Sequence, residues 1–247
     1  MKLKKVELLG YHVFVDSLCE IKINRHLIIN TLNGHSYNLA KQDSVFREAL
    51  RASDVLLPDG VSVVFGARFL KGLKIQKIAG FDLFLYLMGQ LNRIAGSCFF
   101  LGAGIPTLEG IGKRIEKEYP NVRFGFFSPP YKAAFSKEEN WMMREEVNKF
   151  KPDVLFVGMT APKQEKWVYE NKDQIDAKII CSIGAVFDFY AGITERPTQW
   201  MIDMKMEWLG RLFKEPRRMW RRYFLSTPIF FLDLFLQKFR IKNFSKF

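Results

Sequence analysis

Short apolar runs alternate along the chain with longer stretches in which apolar residues recur every three or four positions. The runs Val6–Val13, His26–Asn30, Val55–Leu57, Cys98–Leu101, Val122–Phe127, Val154–Val157 and Ile179–Ile183 predict strands. Between them, Ser36–Ala52, Val61–Phe69, Leu83–Ile94, Pro106–Tyr119, Lys137–Phe150 and Pro162–Asn171 predict helices. Several strands are apolar without alternation, the pattern of a parallel sheet covered on both faces. The reading is an α/β fold: a Rossmann-like doubly wound, mostly parallel sheet with a basic helical carboxyl-terminal appendage. Composition breaks near Trp200–Arg211, which separates an α/β domain over residues 1–200 from an appendage over 201–247.

Open α/β sheets bind ligands beyond the carboxyl ends of their strands. Those ends carry Thr31-Leu-Asn33, Pro58-Asp59-Gly60, Gly102-Ala-Gly104, Gly158-Met-Thr160 and Gly184-Ala185. Glycines and small polar residues there let backbone N–H groups approach a phosphate, or simply end the strands. Asp59-Gly60 reads locally as a turn pair. The functional alternative is a general base, its carboxyl pKa partly raised by Leu56, Leu57 and Pro58. Pro162-Lys163-Gln164-Glu165 opens a helix, either as an ordinary start or as an anion-facing end.

Charge is unevenly placed. Of the net +12, residues 205–247 carry +8, eleven Lys and Arg against Glu207, Glu215 and Asp233. In Arg217–Phe224 the four arginines centre on one side of a helix, and Met219, Trp220, Tyr223 and Phe224 on the other. Ile229–Leu236 follows as an apolar run broken by Asp233. It suits a helix in an anionic membrane interface, or one packed on the body or on another subunit of a homo-oligomer. No stretch reaches the roughly 20 apolar residues of a spanning helix. Cys19, Cys98 and Cys181 form no CxxC pair and His12, His26 and His35 no cluster. Buried thiols in a reducing, cytoplasmic setting and no transition-metal site are expected.

Two other classes are disfavoured. Gly102-Ala-Gly104-Ile-Pro-Thr107 lacks the third glycine of a dinucleotide fingerprint, and Phe127-Ser-Pro-Pro130 offers no ribose acid. The basic tail is compatible with nucleic acid, but no helix-turn-helix or RNA-binding signature supports it, and no nucleic-acid partner is expected.

Taken together, several blocks resemble the WecG/TagA/CpsF family, glycosyltransferase family 26. They are Thr31-Leu-Asn33, Leu57-Pro-Asp59-Gly60-Val61, Ala79-Gly80-Phe81-Asp82, Phe100-Leu-Gly102, Pro162-Lys-Gln-Glu165 and Gly184–Gly192. Arg196-Pro197, Glu207-Trp208 and Arg211–Arg217 continue the match. The resemblance implies an inverting transferase that needs no metal and no cofactor. It implies a UDP-sugar donor, N-acetylmannosamine or its uronic acid, and an N-acetylglucosaminyl-diphospho-undecaprenol acceptor. The enzyme would lie peripherally on the cytoplasmic face of the plasma membrane.

By the same resemblance Asp59 is the general base, with Thr31 and Asn33 beside it, and Gln164 is the active-site glutamine. Lys77 stands where the family usually has arginine. It keeps the charge but loses the bidentate fork toward a diphosphate. Before Pro162 the loop reads Gly-Met-Thr-Ala, where the family more often has Gly-Xaa-Pro. Gly102, Tyr131, Gly158, Lys163, Glu165, Gly184 and Asp188 are the expected substrate contacts. Arg211, Arg218, Arg221 and Arg222 are expected to meet the leaving diphosphate. The chain contains no Asp-x-Asp triplet, so that charge would fall to Lys, Arg and helix ends.

Overall fold

The computed structural model describes residues 3–194, 220, 224 and 226–239. The chain opens on a hairpin, not on the single strand its apolar pattern predicts. β1 (Lys5–Leu8) pairs antiparallel with β2 (Tyr11–Phe14), Leu8 opposite Tyr11. Leu9 (φ 51°) and Gly10 (φ 78°) form the two-residue turn. Both central residues are left-handed, as such a tight hairpin requires. Buried positions alternate at Val6 and Leu8 and again at Tyr11 and Val13, and a one-residue shift of phase at Leu9-Gly10 marks the reversal.

Six further strands form one parallel sheet: β3 (Leu27–Leu32), β4 (Val55–Pro58), β5 (Ser97–Gly102), β6 (Arg123–Phe127), β7 (Val154–Gly158) and β8 (Ile179–Ser182). Their order is β4-β3-β8-β7-β5-β6, with every neighbouring pair parallel. β4, β5, β7 and β8 are buried at every position, which is why they read as continuous apolar runs.

The helices lie close to the predicted spans, with two differences. Residues 36–52 form α1 (Gly34–Gln42) and α2 (Ser44–Arg51) rather than one helix. Asp43 divides them: its carboxylate accepts the N–H of Phe46 at 3.0 Å and so caps α2. There follow α3 (Val61–Lys71), α4 (Gly80–Ile94), α5 (Ile105–Glu118), α6 (Lys137–Phe150) and α7 (Lys163–Asn171). A short α8 (Gly184–Tyr190), which the sequence reading lacks, comes directly after β8.

One sheet face packs Phe84 of α4, Ile111 of α5 and Phe187 of α8 over Phe100 and Phe156. The other packs Met143 of α6 and Trp167 of α7 over Leu155, Val157 and Ile180. Cys98 and Cys181 are buried free thiols whose pKa burial pushes up, whereas Cys19 is exposed.

The apolar run of the tail forms α9 (Thr227–Lys238) and packs on the body. Phe230 and Leu234 are fully buried in a cluster with Leu8, Tyr37, Val63 and Ala67. The approach needs Gly66, where a Cβ would stand 3.2 Å from Leu234 Cδ2. Asp233, which interrupts the run, is the polar pin. It accepts the Tyr37 hydroxyl at 2.8 Å and the Lys41 ammonium at 2.7 Å. Among the described residues no helix is long and apolar enough to cross a membrane.

Candidate active site

The parallel register sets the first part of the site. Thr31 stands opposite Leu57 and Leu32 opposite Pro58, so Asp59 and Asn33 each follow directly on neighbouring strands. The Asp59 N–H donates to Leu32 O at 2.9 Å, extending the sheet by one residue. Gly60 (φ 152°) turns the chain into α3 against Asn33, whose Cβ lies 3.3 Å from where a Gly60 Cβ would sit. The turn reading and the base reading are therefore compatible. The Asp-Gly turn is what places a half-buried carboxylate at the strand edge.

Asn33 has a structural duty as well. Its Oδ1 accepts the N–H groups of His35 and Ser36, both at 3.0 Å, while Ser36 Oγ accepts the Asn33 N–H at 2.9 Å. This capping box starts α1 and occupies Oδ1, with Nδ2 outside it. Lys77 reaches the same edge from another direction. Its neighbour Ile78 donates its N–H to Pro58 O at 3.1 Å, stitching residues 77–79 to the end of β4. Asp82 then accepts the Ala79 N–H at 3.0 Å and starts α4.

Gln164 and Glu165 form the second part, across β7 and β8. Gln164 Oε1 accepts the Gly184 N–H at 3.1 Å, and its Nε2 donates to Glu165 Oε1 at 2.9 Å. A Cβ at Gly184 would lie 2.5 Å from Gln164 Oε1, so a side chain there would displace the glutamine. Gln164 thus ties the start of α7 to the start of α8. Glu165 is buried beneath it, and its Oε2 has no hydrogen-bond partner among the described residues. Burial pushes its pKa up to about 7, and the bond from Gln164 only partly opposes this. Glu165 therefore braces Gln164 from beneath.

This has a measurable consequence. An acid whose folded pKa lies above its unfolded value costs stability as pH rises between the two. For Glu165 that window runs from 4.5 to about 7. The cost above it is roughly 3 kcal/mol at 1.36 kcal/mol per unit. Glu165→Gln keeps the bond from Gln164 without the buried charge. Its advantage in melting temperature over the parent protein should widen between pH 5 and pH 8. An advantage that stays constant across that range sinks the neutral-acid assignment.

The remaining expected contacts divide. Gly102 and Gly158 are register partners at the ends of β5 and β7, and the Ala103 N–H donates to Gly158 O at 2.9 Å. With Asp59, Thr31–Asn33 and Gly184 they form one row across five adjacent strand ends, β4, β3, β8, β7 and β5. Lys163 instead donates to Lys132 O at 2.8 Å and lies over the Phe135 ring. It holds the loop that bears Tyr131. Tyr131 itself is fully exposed beyond the edge strand β6, at the far end of the sheet from Asp59. Asp188 is exposed on α8. Arg211, Arg218, Arg221 and Arg222 lie outside the described residues.

One link had no signal in the sequence. His35, in the first turn of α1 beside Asn33, has its Nδ1 3.0 Å from Ser226 Oγ, 191 positions away. The tail is thereby fastened to the helix that begins in the site.

A row of bare backbone and small polar groups along a parallel sheet, with a carboxylate and a lysine at one end, defines an α/β enzyme with a strand-end ligand crevice. The sequence profile of the Glycosyl transferase WecG/TagA/CpsF family matches residues 4–244, and the chain belongs to that family of glycosyltransferases. It is 29% identical over 233 residues to the N-acetylglucosaminyldiphosphoundecaprenol N-acetyl-beta-D-mannosaminyltransferase of Bacillus subtilis (strain 168), covering 94% of this chain and 88% of the relative. Proteins of the same name from Bacillus spizizenii and Staphylococcus aureus (strain MW2) are 26% and 27% identical. Those matches cover 83% and 88% of this chain and 77% and 83% of the relatives.

Proposed function

We propose that the protein transfers N-acetylmannosamine from UDP to the N-acetylglucosamine of a diphospho-undecaprenol acceptor, with inversion. The observation that carries this is Asp59 at the end of β4, flanked by Asn33 and by the Lys77 segment, in a chain alignable almost end to end with enzymes so named. Asp59 takes the proton of an acceptor hydroxyl. That oxygen bonds to the donor's anomeric carbon on the face opposite UDP, and the bond from that carbon to the diphosphate breaks. Lys77, with Arg211, Arg218, Arg221 and Arg222, offsets the charge on departing UDP. Gln164, fixed by Glu165 and Gly184, orients the bound donor. The protein works peripherally, on the cytoplasmic face of the membrane that holds the acceptor.

The test is UDP release across a panel of UDP-sugars with a synthetic lipid-diphosphate-N-acetylglucosamine acceptor, with and without excess EDTA. Acceptor-dependent release with UDP-N-acetylmannosamine, undiminished by EDTA, is expected. Release from another sugar instead overturns the donor assignment. Loss in EDTA with rescue by Mg²⁺ or Mn²⁺ overturns the role given to the cationic residues.

A further inference from the structure

Three interior polar atoms near Gln164 are left over by the catalytic reading. Asn30 Oδ1, Ser182 Oγ and Glu165 Oε2 have no hydrogen-bond partner among the described residues. Their residues are only 1%, 1% and 3% exposed, so bulk water does not serve them. A buried polar atom left unpaired is costly to a fold, and native structures seldom keep one without a partner.

The topology gathers the three. Ile29 stands opposite Cys181 in the parallel pair of β3 and β8, so the residues that follow, Asn30 and Ser182, are neighbours. Their side chains leave the sheet on one side, the side of Ile28 and Ile180 two positions earlier. Ile28 and Ile180 pack there with Trp167 and Val168 of α7. Glu165, one turn before Val168, is buried between α7 and the same face. Its neighbour Gln164 is held by the N–H of Gly184, two residues beyond Ser182. The far flank is closed by α2. Asn30 Nδ2 donates to Ser53 Oγ at 2.9 Å and to Ala49 O at 3.4 Å, and Lys166 joins α7 to Asp43 at 2.9 Å.

We propose that Asn30, Ser182 and Glu165 bind one ordered water between β3, β8 and α7, and that this buried network positions the Gln164 amide. The donor and acceptor inventory fits a single water. Asn30 Oδ1 only accepts, and the Ser182 hydroxyl donates. Glu165 Oε1 is taken by Gln164 Nε2 at 2.9 Å, so in the neutral acid Oε2 carries the proton and donates. A water that accepts from Ser182 and Glu165 and donates to Asn30 makes three bonds, the usual number for a buried water. With Oε2 so engaged, the carboxyl keeps Oε1 toward Gln164, and the amide keeps its own oxygen toward Gly184. Asn30, Ser182 and Glu165 are positioning residues that act on a bound donor through Gln164. The water site stands on the buried atoms and the register alone. Its effect on transfer rests on the role of Gln164 given under Proposed function.

The experiment uses the full chain and three readouts. A crystal structure that resolves ordered solvent should show one water roughly 2.7–3.2 Å from all three atoms. By NMR, the side-chain amide protons of Gln164 should exchange with solvent about tenfold faster or more in Ser182→Ala than in the wild-type protein. In UDP release, Glu165→Ala should lower kcat by about 10–100-fold, because a misplaced orienting group spoils the reacting geometry. Its acceptor KM should hold. Ser182→Ala, which removes one bond and little volume, should lower kcat less and serves where Glu165→Ala does not fold. Glu165→Gln should restore kcat to near wild type, since its amide still accepts from Gln164 and still donates to the water. Side chains placed as described with no water among them overturn the site. Unchanged Gln164 exchange in Ser182→Ala, or Ala variants that melt earlier yet turn over at the wild-type rate, overturn the positioning role. A wild-type protein that holds the water and protects the Gln164 amide, yet transfers sugar from no donor, leaves the network standing and refutes the enzymatic reading instead.

Discussion

Asp59→Asn is expected to lower turnover by about 10²–10⁴-fold, the usual range for removing a general base. The donor KM should hardly move, because the amide keeps the size of the carboxylate and loses only its basicity. The turn should survive too. Its hydrogen bond runs from the residue 59 N–H to Leu32 O, which no side-chain change removes, and asparagine suits such turns as well as aspartate does. The variant therefore separates the turn from the proposed role as base. Steady-state UDP release alongside a thermal melt provides the readout. Near-wild-type turnover with an unchanged melt would reduce Asp59 to a turn residue and pass the role of base to another group.

Much of the sheet was legible because its strands are buried on both faces. Where every position of β5, β7 and β8 must be apolar, the run itself marks the strand, and a glycine or small residue marks its end. The strand-end positions of Thr31, Asn33, Asp59, Gly102, Gly158 and Gly184 followed from that, whereas the placing of Thr31 and Asn33 beside Asp59 came from the family resemblance. What failed to show were features decided by one residue's backbone or by distant contacts. Leu9-Gly10, both left-handed, reverses the chain inside a single apolar run. Asp43 splits a helix whose apolar periodicity continues through it. Glu165 reads as a helix-start acid complementing a dipole, and nothing local shows that α7 buries its first turn against the sheet. Tyr131 was grouped with the substrate contacts, although the strand order carries its loop to the opposite edge from Asp59. No local pattern states which strands become neighbours.

The tail is where local reading was most incomplete, and Phe230→Ala tests the outcome. An amphipathic run in a basic, aromatic segment fits an interface helix and a packed helix equally well. The structure distinguishes them by what lies under Phe230. Its ring meets Tyr37 edge-on at 5.2 Å and Phe231 at 6.1 Å, and its Cβ stands 3.6 Å from where a Gly34 Cβ would be. Removing such a fully buried ring costs about 3–5 kcal/mol. Against a usual total of about 5–15 kcal/mol, that is a large part of the stability. Phe235→Ala, on the exposed side of the same helix, should stay within about 0.5 kcal/mol, because a surface change opens no cavity. Urea denaturation of both variants without lipid measures the difference. A helix that left the body in solution would make the two substitutions equally harmless, and α9 would then be an anchor rather than part of the fold. A large loss for Phe230→Ala alone would instead mean that α9 stays packed on α1 and α3, with Ser226 and Asp233 holding it to the helix that starts at Asn33.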